Sequence, residues 1–224
     1  IVVVFLSLII SIFVRDGCIV VMTIKKHNWS EYTPFIWQYD NVVSDQVCDT
    51  IVSLIQGSTL HDEYLTKNTE RSKVRNNSCI NVSQVSKYDH DMLCADKMIN
   101  DIFSDIHLHY VLNNPQYFTL RNAQYLYTTS CSYTYRTYDK SDYYDWHIDS
   151  SDHAHLLFSY ILYLNDDFLG GDTLFLNQRL RVKPKKGSML CFPCDMQTVH
   201  KSTTIQEGKK NIIWTCMEYH CQKS

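Results

Sequence analysis

Glycine and proline are scarce, six and four in 224 residues. So few breakers exclude a collagen-like or linker-rich chain and favour long regular elements with few tight turns. An excess of positive charge is missing as well. Lys plus Arg number 21 against 24 Asp plus Glu, a net charge of -3, so the basic footprint of a phosphate-tracking protein is absent and nucleic acid is not an expected partner. Long apolar runs are confined to the N-terminus, where residues 1–14, interrupted by Ser7 and Ser11, fall short of a membrane span. At 45% hydrophobic and 20% charged, the chain is neither disordered nor a multi-span membrane protein. Its length suits one domain around one core. The nine cysteines are odd in number, scattered, and set in a chain too long to need a disulfide framework, which predicts mostly free thiols. Cys191 and Cys194 have zinc-knuckle spacing, but no second C-x-x-C answers them and they lie in the apolar run MLCFPC, so they read as buried structural residues.

Residues 1–28 carry two readings. One is the remnant of a signal anchor, which alone would bring a membrane partner and a secretory or endoplasmic-reticulum location. The other is sequence upstream of a start at Met22, which would leave the protein cytoplasmic. Sequons at Asn28, Asn76 and Asn81 do not decide between them. Residues 29–219 read as a single domain with helical support over about 44–106 and a strand-rich core over about 118–219. Ser44 to Gln56 places Val47, Ile51, Val52, Leu54 and Ile55 at helical spacing, with Ser44 as N-cap and Gly57 as stop. A second helix runs from about Asp89 to Ile106 on the stripe Ala95, Ile99, Ile102, Phe103 and Ile106. Between them, Leu60 to Ser86 is polar and without periodicity, a surface excursion. From Phe118 onward, alternating tyrosines and short apolar runs signal strands. Helices ahead of many short strands predict an α+β fold in which a sandwich or barrel is braced from outside.

The chemistry concentrates in YDKSDYYDWHID, the last twelve residues of which Asp149 ends. It contains the one H-x-D of the chain, and on an extended strand His147 and Asp149 would face the same side. His200, in QTVHKST, reaches them only if the sheet folds back on itself. Two imidazoles and one carboxylate form the facial set that suits non-haem Fe(II) with open coordination positions. Taken singly, each histidine is better explained as a core or surface residue; the joint spacing is what points to a metal. The H-x-H pairs His107/His109 and His153/His155 read as structural or surface residues.

Ten residues beyond His200 comes Lys210, in HKSTTIQEGKKNIIW, and here the sequence resembles the Fe(II)/2-oxoglutarate-dependent dioxygenases, particularly the prolyl 4-hydroxylase-like group. The resemblance covers about Tyr125 to Tyr219. It implies a double-stranded β-helix, or jelly-roll, core with N-terminal bracing helices. It assigns His147, Asp149 and His200 as Fe(II) ligands, which take part in catalysis through the metal. It makes Lys210 the cation for the far carboxylate of 2-oxoglutarate, Tyr163 in SYILYLN a hydroxyl donor to the same group, and Tyr138 a flanking residue near the keto-acid end. Strand alternation lets only one of Lys209 and Lys210 face inward, and the family spacing favours Lys210. Tyr144, three before the first ligand, Ser202 and Trp214 fall near the site. DFLGGDTLF matches a family turn in which Gly170 and Gly171 serve backbone geometry, and VKPKKGSMLCF matches its Pro-Lys-Lys-Gly lead-in to a strand. Where the family often has glycine, Ser141-Asp142 stands here, so that turn is built differently and Tyr138 is the residue it would displace.

The resemblance further implies O2 as co-substrate, ascorbate as an accessory reductant, and hydroxylation of an unactivated C–H bond with release of succinate and CO2. By family, the substrate is a prolyl residue in a peptide or protein. A free amino acid or small metabolite is the alternative within the superfamily, and a non-catalytic jelly-roll binding module with a structural metal is the alternative outside it. Leu60 to Ser86 and Ser150 to His155 are the candidate rims.

Overall fold

The computed structural model describes residues 3–5, 8–15, 18–24, 27–67, 74–114, 126–130, 132–149 and 156–221. The predicted rim stretch Ser150 to His155, with His153 and His155, lies outside them. Residues 3–24 contribute a three-stranded antiparallel sheet of Val3–Phe5, Leu8–Arg15 and Cys18–Ile24. Among the described residues no helix is long and apolar enough to cross a membrane.

Period-two patterning builds the rest. In Leu156–Tyr163, residues Phe158, Tyr160 and Leu162 join one buried cluster while Ile161 and Tyr163 join another. Met189–Pro193 divides the same way, Met189 and Cys191 against Leu190 and Phe192. A strand apolar on both faces must be covered on both, and it is. The large sheet orders Asn28–Thr33, Ile36–Asp40, Met189–Pro193, Leu156–Tyr163, Lys210–Cys221, Thr134–Tyr138, Ser78–Asn81 and Thr66–Lys67, with Leu126–Ser130 also paired to Lys210–Cys221. A smaller sheet orders Leu180–Val182, Thr173–Phe175, His200–Ser202, Tyr143–His147 and Arg75–Asn76. The pairings are antiparallel. One face of the large sheet meets the helices, the other meets residues of the small sheet such as Phe175 and Val182. This is the braced α+β sandwich the residue pattern predicts.

Helix Asp45–Gly57 starts where Ser44 Oγ accepts the Val47 N–H at 3.4 Å and buries Cys48, Ile51 and Ile55. The second long helix, His90–Asn113, starts at Asp89, whose carboxylate accepts the Met92 N–H at 2.8 Å. It runs seven residues past the predicted end near Ile106, because the buried stripe continues through His109 and Tyr110. These residues are polar enough to hide the periodicity, and both are used: Tyr39 OH lies 3.0 Å from His109 Nδ1, and Tyr110 OH donates to the Phe35 carbonyl at 2.5 Å. His107 likewise meets Tyr160 OH at 2.6 Å, so this H-x-H pair is structural, as predicted.

The excursion expected over Leu60 to Ser86 is corrected. It holds two one-turn helices, His61–Tyr64 and Val82–Val85, and the strand Ser78–Asn81, which pairs with Thr134–Tyr138. Ile80, Val82 and Val85 are buried. Four-residue elements between polar neighbours leave no detectable period, and their pairing partner lies far along the chain. Cys191 and Cys194 are buried thiols, Cys194 Sγ lying 3.6 Å from Cys216 Sγ, in keeping with the structural reading.

Candidate metal centre and co-substrate recess

His147 is the last residue of strand Tyr143–His147, and Asp149 lies just beyond it. The H-x-D pair therefore straddles a strand end. Antiparallel pairing of this strand with His200–Ser202 sets His147 opposite His200, which brings the remote imidazole to the pair. His147 Nε2 is 3.5 Å from Asp149 Oδ1, and His200 Nε2 is 3.6 Å from Asp149 Oδ2. The three candidate ligand atoms all lie within 4.8 Å of one another.

Both imidazoles are oriented from behind. His147 Nδ1 donates to the Asp145 carbonyl at 2.7 Å and His200 Nδ1 to the Thr198 carbonyl at 3.0 Å. That leaves Nε2 as the ring atom each turns to the centre, the nitrogen through which an imidazole would ligate a metal. Tyr144 stacks on His147 with ring centroids 3.5 Å apart, fixing the ring plane. Burial lowers the His200 pKa to about 4, against the pull of Asp149. For Asp149, burial by itself would favour the neutral acid, but His200, His147 and Arg136 outweigh it and hold the carboxyl well below the usual range. Ser159 Oγ donates to Asp149 Oδ2 at 2.6 Å, and Trp214 Nε1 donates to Ser159 Oγ at 3.0 Å. One carboxylate and two imidazoles that turn Nε2 toward the same point fit a divalent first-row metal with positions left open.

Lys210 opens the strand Lys210–Cys221 opposite Tyr138. It is 2% exposed, whereas Lys209 points outward and pairs with Asp139 at 3.4 Å. The Lys210 ammonium donates to the Gly171 carbonyl at 2.6 Å and to Ser202 Oγ at 3.0 Å. It stands 5.4 Å from the Tyr138 ring centroid and 5.6 Å from that of Tyr163. Burial lowers its pKa to about 7, opposed by Asp172. Gly171 has φ +69 and no room for a side chain, since a Cβ would fall 2.6 Å from Ile205 Cδ1. The predicted backbone role of the Gly170-Gly171 turn thus includes offering a carbonyl to the lysine.

Tyr138, Tyr144, Ser202, Lys210 and Trp214 line one recess together with the three candidate ligands. Tyr163 is fully buried behind it, its hydroxyl 3.0 Å from Thr173 Oγ1, and Thr173 lines the recess in its place. The recess holds about 20 Å³ of free space, roughly one water. A five-carbon diacid therefore enters only as Lys210 and its neighbours shift. Tyr138 keeps its place despite the departure at Ser141. The turn closes with Asp142 N–H on the Asp139 carbonyl and Asp139 N–H on Asp142 Oδ2, both at 2.9 Å, and Ser141 itself takes φ 77.

Sequence reasoning missed Ser159, Thr173 and Arg136. Ser159 and Thr173 sit in apolar runs that advertise only strands. Arg136 carried a signal, since it is two residues from Tyr138 on one strand and so shares its face.

The model of the 2OG-Fe(II) oxygenase superfamily matches residues 133–217, which contain all of the site residues above. Among curated proteins, none matches the chain closely enough to count as a relative. Several solved structures share its fold. A viral collagen prolyl hydroxylase from Paramecium Bursaria Chlorella virus-1, solved with 2OG, is 18% identical with a TM-score of 0.56, covering 82% of this chain and 96% of the other. A Pseudomonas putida prolyl-4-hydroxylase is 14% identical at TM-score 0.58, covering 88% and 94%. A Trichoplax adhaerens prolyl hydroxylase, solved with a peptide fragment of the hypoxia inducible factor oxygen degradation domain, is 12% identical at TM-score 0.62, covering 84% of each chain. The likeness establishes a jelly-roll core like that of the prolyl hydroxylases, and the family model matches the segment of this chain that carries the whole candidate site.

Proposed function

We propose that the protein is an Fe(II)- and 2-oxoglutarate-dependent dioxygenase that hydroxylates an unactivated C–H bond, with a prolyl residue of a peptide or protein as the leading substrate. One observation carries the reading. A buried lysine stands across a single recess from a His-Asp-His ligand set, and a structural metal would have no use for that cation. When bound, Fe(II) with 2-oxoglutarate and O2 supplies the oxidation and releases succinate and CO2.

The protein's own residues hold and orient. His147, Asp149 and His200 would hold the ion, and Ser159 and Trp214 would lock the carboxylate rotamer. Lys210 exchanges the Gly171 carbonyl and Ser202 hydroxyl for the far carboxylate of 2-oxoglutarate, a charge-assisted contact about twice as strong as a neutral one. Ser202 and Thr173 offer hydroxyls to that carboxylate, with Tyr163 orienting Thr173. Tyr138 and Ile212 wall the recess and exclude water from the oxidation. The peptide seen with the Trichoplax enzyme supports a peptide substrate for this chain; a free amino acid or small metabolite is the alternative. Ascorbate enters the proposal through the family alone.

Under anaerobic conditions, Fe(II) and 2-oxoglutarate together should produce a visible charge-transfer band, and a peptide and metabolite panel should reveal substrate-stimulated succinate release. A protein that binds Fe(II) tightly yet stays colourless with 2-oxoglutarate would refute the chelation reading.

A further inference from the structure

Arg136 borders the recess and helps to keep Asp149 ionised, and its surroundings are unusual. Its residue surface is 7% exposed, yet its Nε–H has no hydrogen-bond partner and, among the described residues, it forms no ion pair. Its guanidinium lies 4.0 Å over the Trp214 ring and 5.8 Å from the centroid of Tyr144. A guanidinium cannot shed its proton, so the protein keeps a permanent charge in a desolvated position among aromatic faces, near the Asp149 carboxylate but in ion-pair contact with none of the described residues. Such burial is costly unless an anion arrives to share it.

Position indicates which anion. Along the pairing of Thr134–Tyr138 with Lys210–Cys221, Tyr138 faces Lys210, Arg136 faces Ile212 and Thr134 faces Trp214. Arg136 is thus one layer, about 7 Å, outward from the lysine. It borders the metal recess on one side and an outer cavity of about 610 Å³ on the other, and Trp214 shares both walls. Arg75 stands in the same outer wall, while the carboxylate there, Glu63, is exposed and makes no ion pair with Arg136. Charge counting agrees. The two positive charges of Fe(II) and the one of Lys210 are met by Asp149 and the two carboxylates of 2-oxoglutarate. Arg136 is the cation left over, and it borders the outer cavity.

We propose that Arg136 is the residue that binds a carboxylate of the substrate, so that the enzyme selects an acidic substrate entering through the outer cavity. The inference rests on the dioxygenase reading and narrows it to a chemical class. Either a free α-carboxylate or the side chain of an acidic residue next to the hydroxylated position supplies the group. The planar fork of Arg136, held flat on Trp214, presents paired N–H donors to it.

The test uses the full chain, loaded anaerobically with Fe(II) and 2-oxoglutarate, and equilibrium binding of defined probes. N-acetyl amino acids are compared with their amides in one arm, and N-acetyl-aspartate and N-acetyl-glutamate amides in the other, which separates an α-carboxylate from a side-chain one. Wild type should bind at least one acid about 10- to 100-fold more tightly than its uncharged counterpart. Arg136→Gln should abolish that preference, and its loss of acid-probe affinity should exceed by at least about tenfold any loss of 2-oxoglutarate affinity read from the visible band. Arg136→Lys should restore part of the preference, which a merely structural role would not do. Equal binding of acids and amides by wild type, an acid preference that survives Arg136→Gln, or an equal loss of 2-oxoglutarate and probe affinity would each overturn the assignment. Absence of the visible band in wild type would instead sink the dioxygenase reading itself.

Discussion

Lys210 is the residue on which charge, burial and ligand choice meet. Desolvation lowers its pKa to about 7, with Asp172 pulling the other way, against an ordinary value near 10.5. Between those values the unfolded chain binds a proton that the folded one does not, so stability rises with pH across this window. Below about pH 7 the full cost of the buried charge applies, on the order of a few kcal/mol. Lys210→Met should therefore raise the melting temperature of the metal-free protein at pH 6.5 and gain little at pH 10, while weakening 2-oxoglutarate binding. Calorimetry of 2-oxoglutarate binding at pH 8, in buffers of different ionisation enthalpy, should show proton uptake in wild type and none in Lys210→Met; equal uptake in both would take the proton away from this lysine. The residue was legible because alternation lets only one of Lys209 and Lys210 face inward and the resemblance to the family, with its spacing of ten from the distal histidine, favours Lys210. Ser159 was not, since a small hydroxyl in SYILYLN looks like any strand residue until Asp149 arrives 2.6 Å away.

At the scale of elements, the turn Asp139–Asp142 shows how a departure from the family pattern is accommodated. Ser141 takes φ 77, a left-handed conformation that costs a side chain about 1–2 kcal/mol. The strain is held by Asp142, whose carboxylate accepts the Asp139 N–H, and by backbone bonds in both directions to Ile205, each at 2.9 Å. Ser141→Gly should stabilise the protein by about 1 kcal/mol in urea unfolding, with the metal affinity unchanged; a loss of stability would show that the strain account is mistaken. Helix starts were readable at this scale because Ser44 and Asp89 cap by local side-chain chemistry. The end of the second helix was not, because Tyr110 and His109 find their partners on Phe35 and Tyr39, residues far off in sequence.

Across the whole molecule, the candidate centre joins segments that the chain separates widely. His147 and Asp149 lie at one strand's end, His200 opens another, and their antiparallel pairing closes the set. An ion that binds this arrangement and not the unfolded chain should stabilise the fold, by about 2.7 kcal/mol at one hundred times its dissociation constant. Thermal melts with Mn(II), or with Fe(II) under anaerobic conditions, should shift upward in wild type and stay unmoved in His147→Ala. An equal shift in that variant would place the stabilising ion elsewhere.

Local chemistry determined the helix starts, the strand runs and the H-x-D pair, because caps, period and spacing act over a few residues, while His200 and Lys210 were singled out by the spacing that carries the family resemblance. The tertiary structure decided the rest. Only chain reversal puts His200 beside His147, turns residues 78–81 into a paired strand, and leaves Arg136 buried with its Nε–H unpartnered, since each depends on what distant residues contribute to the same small volume.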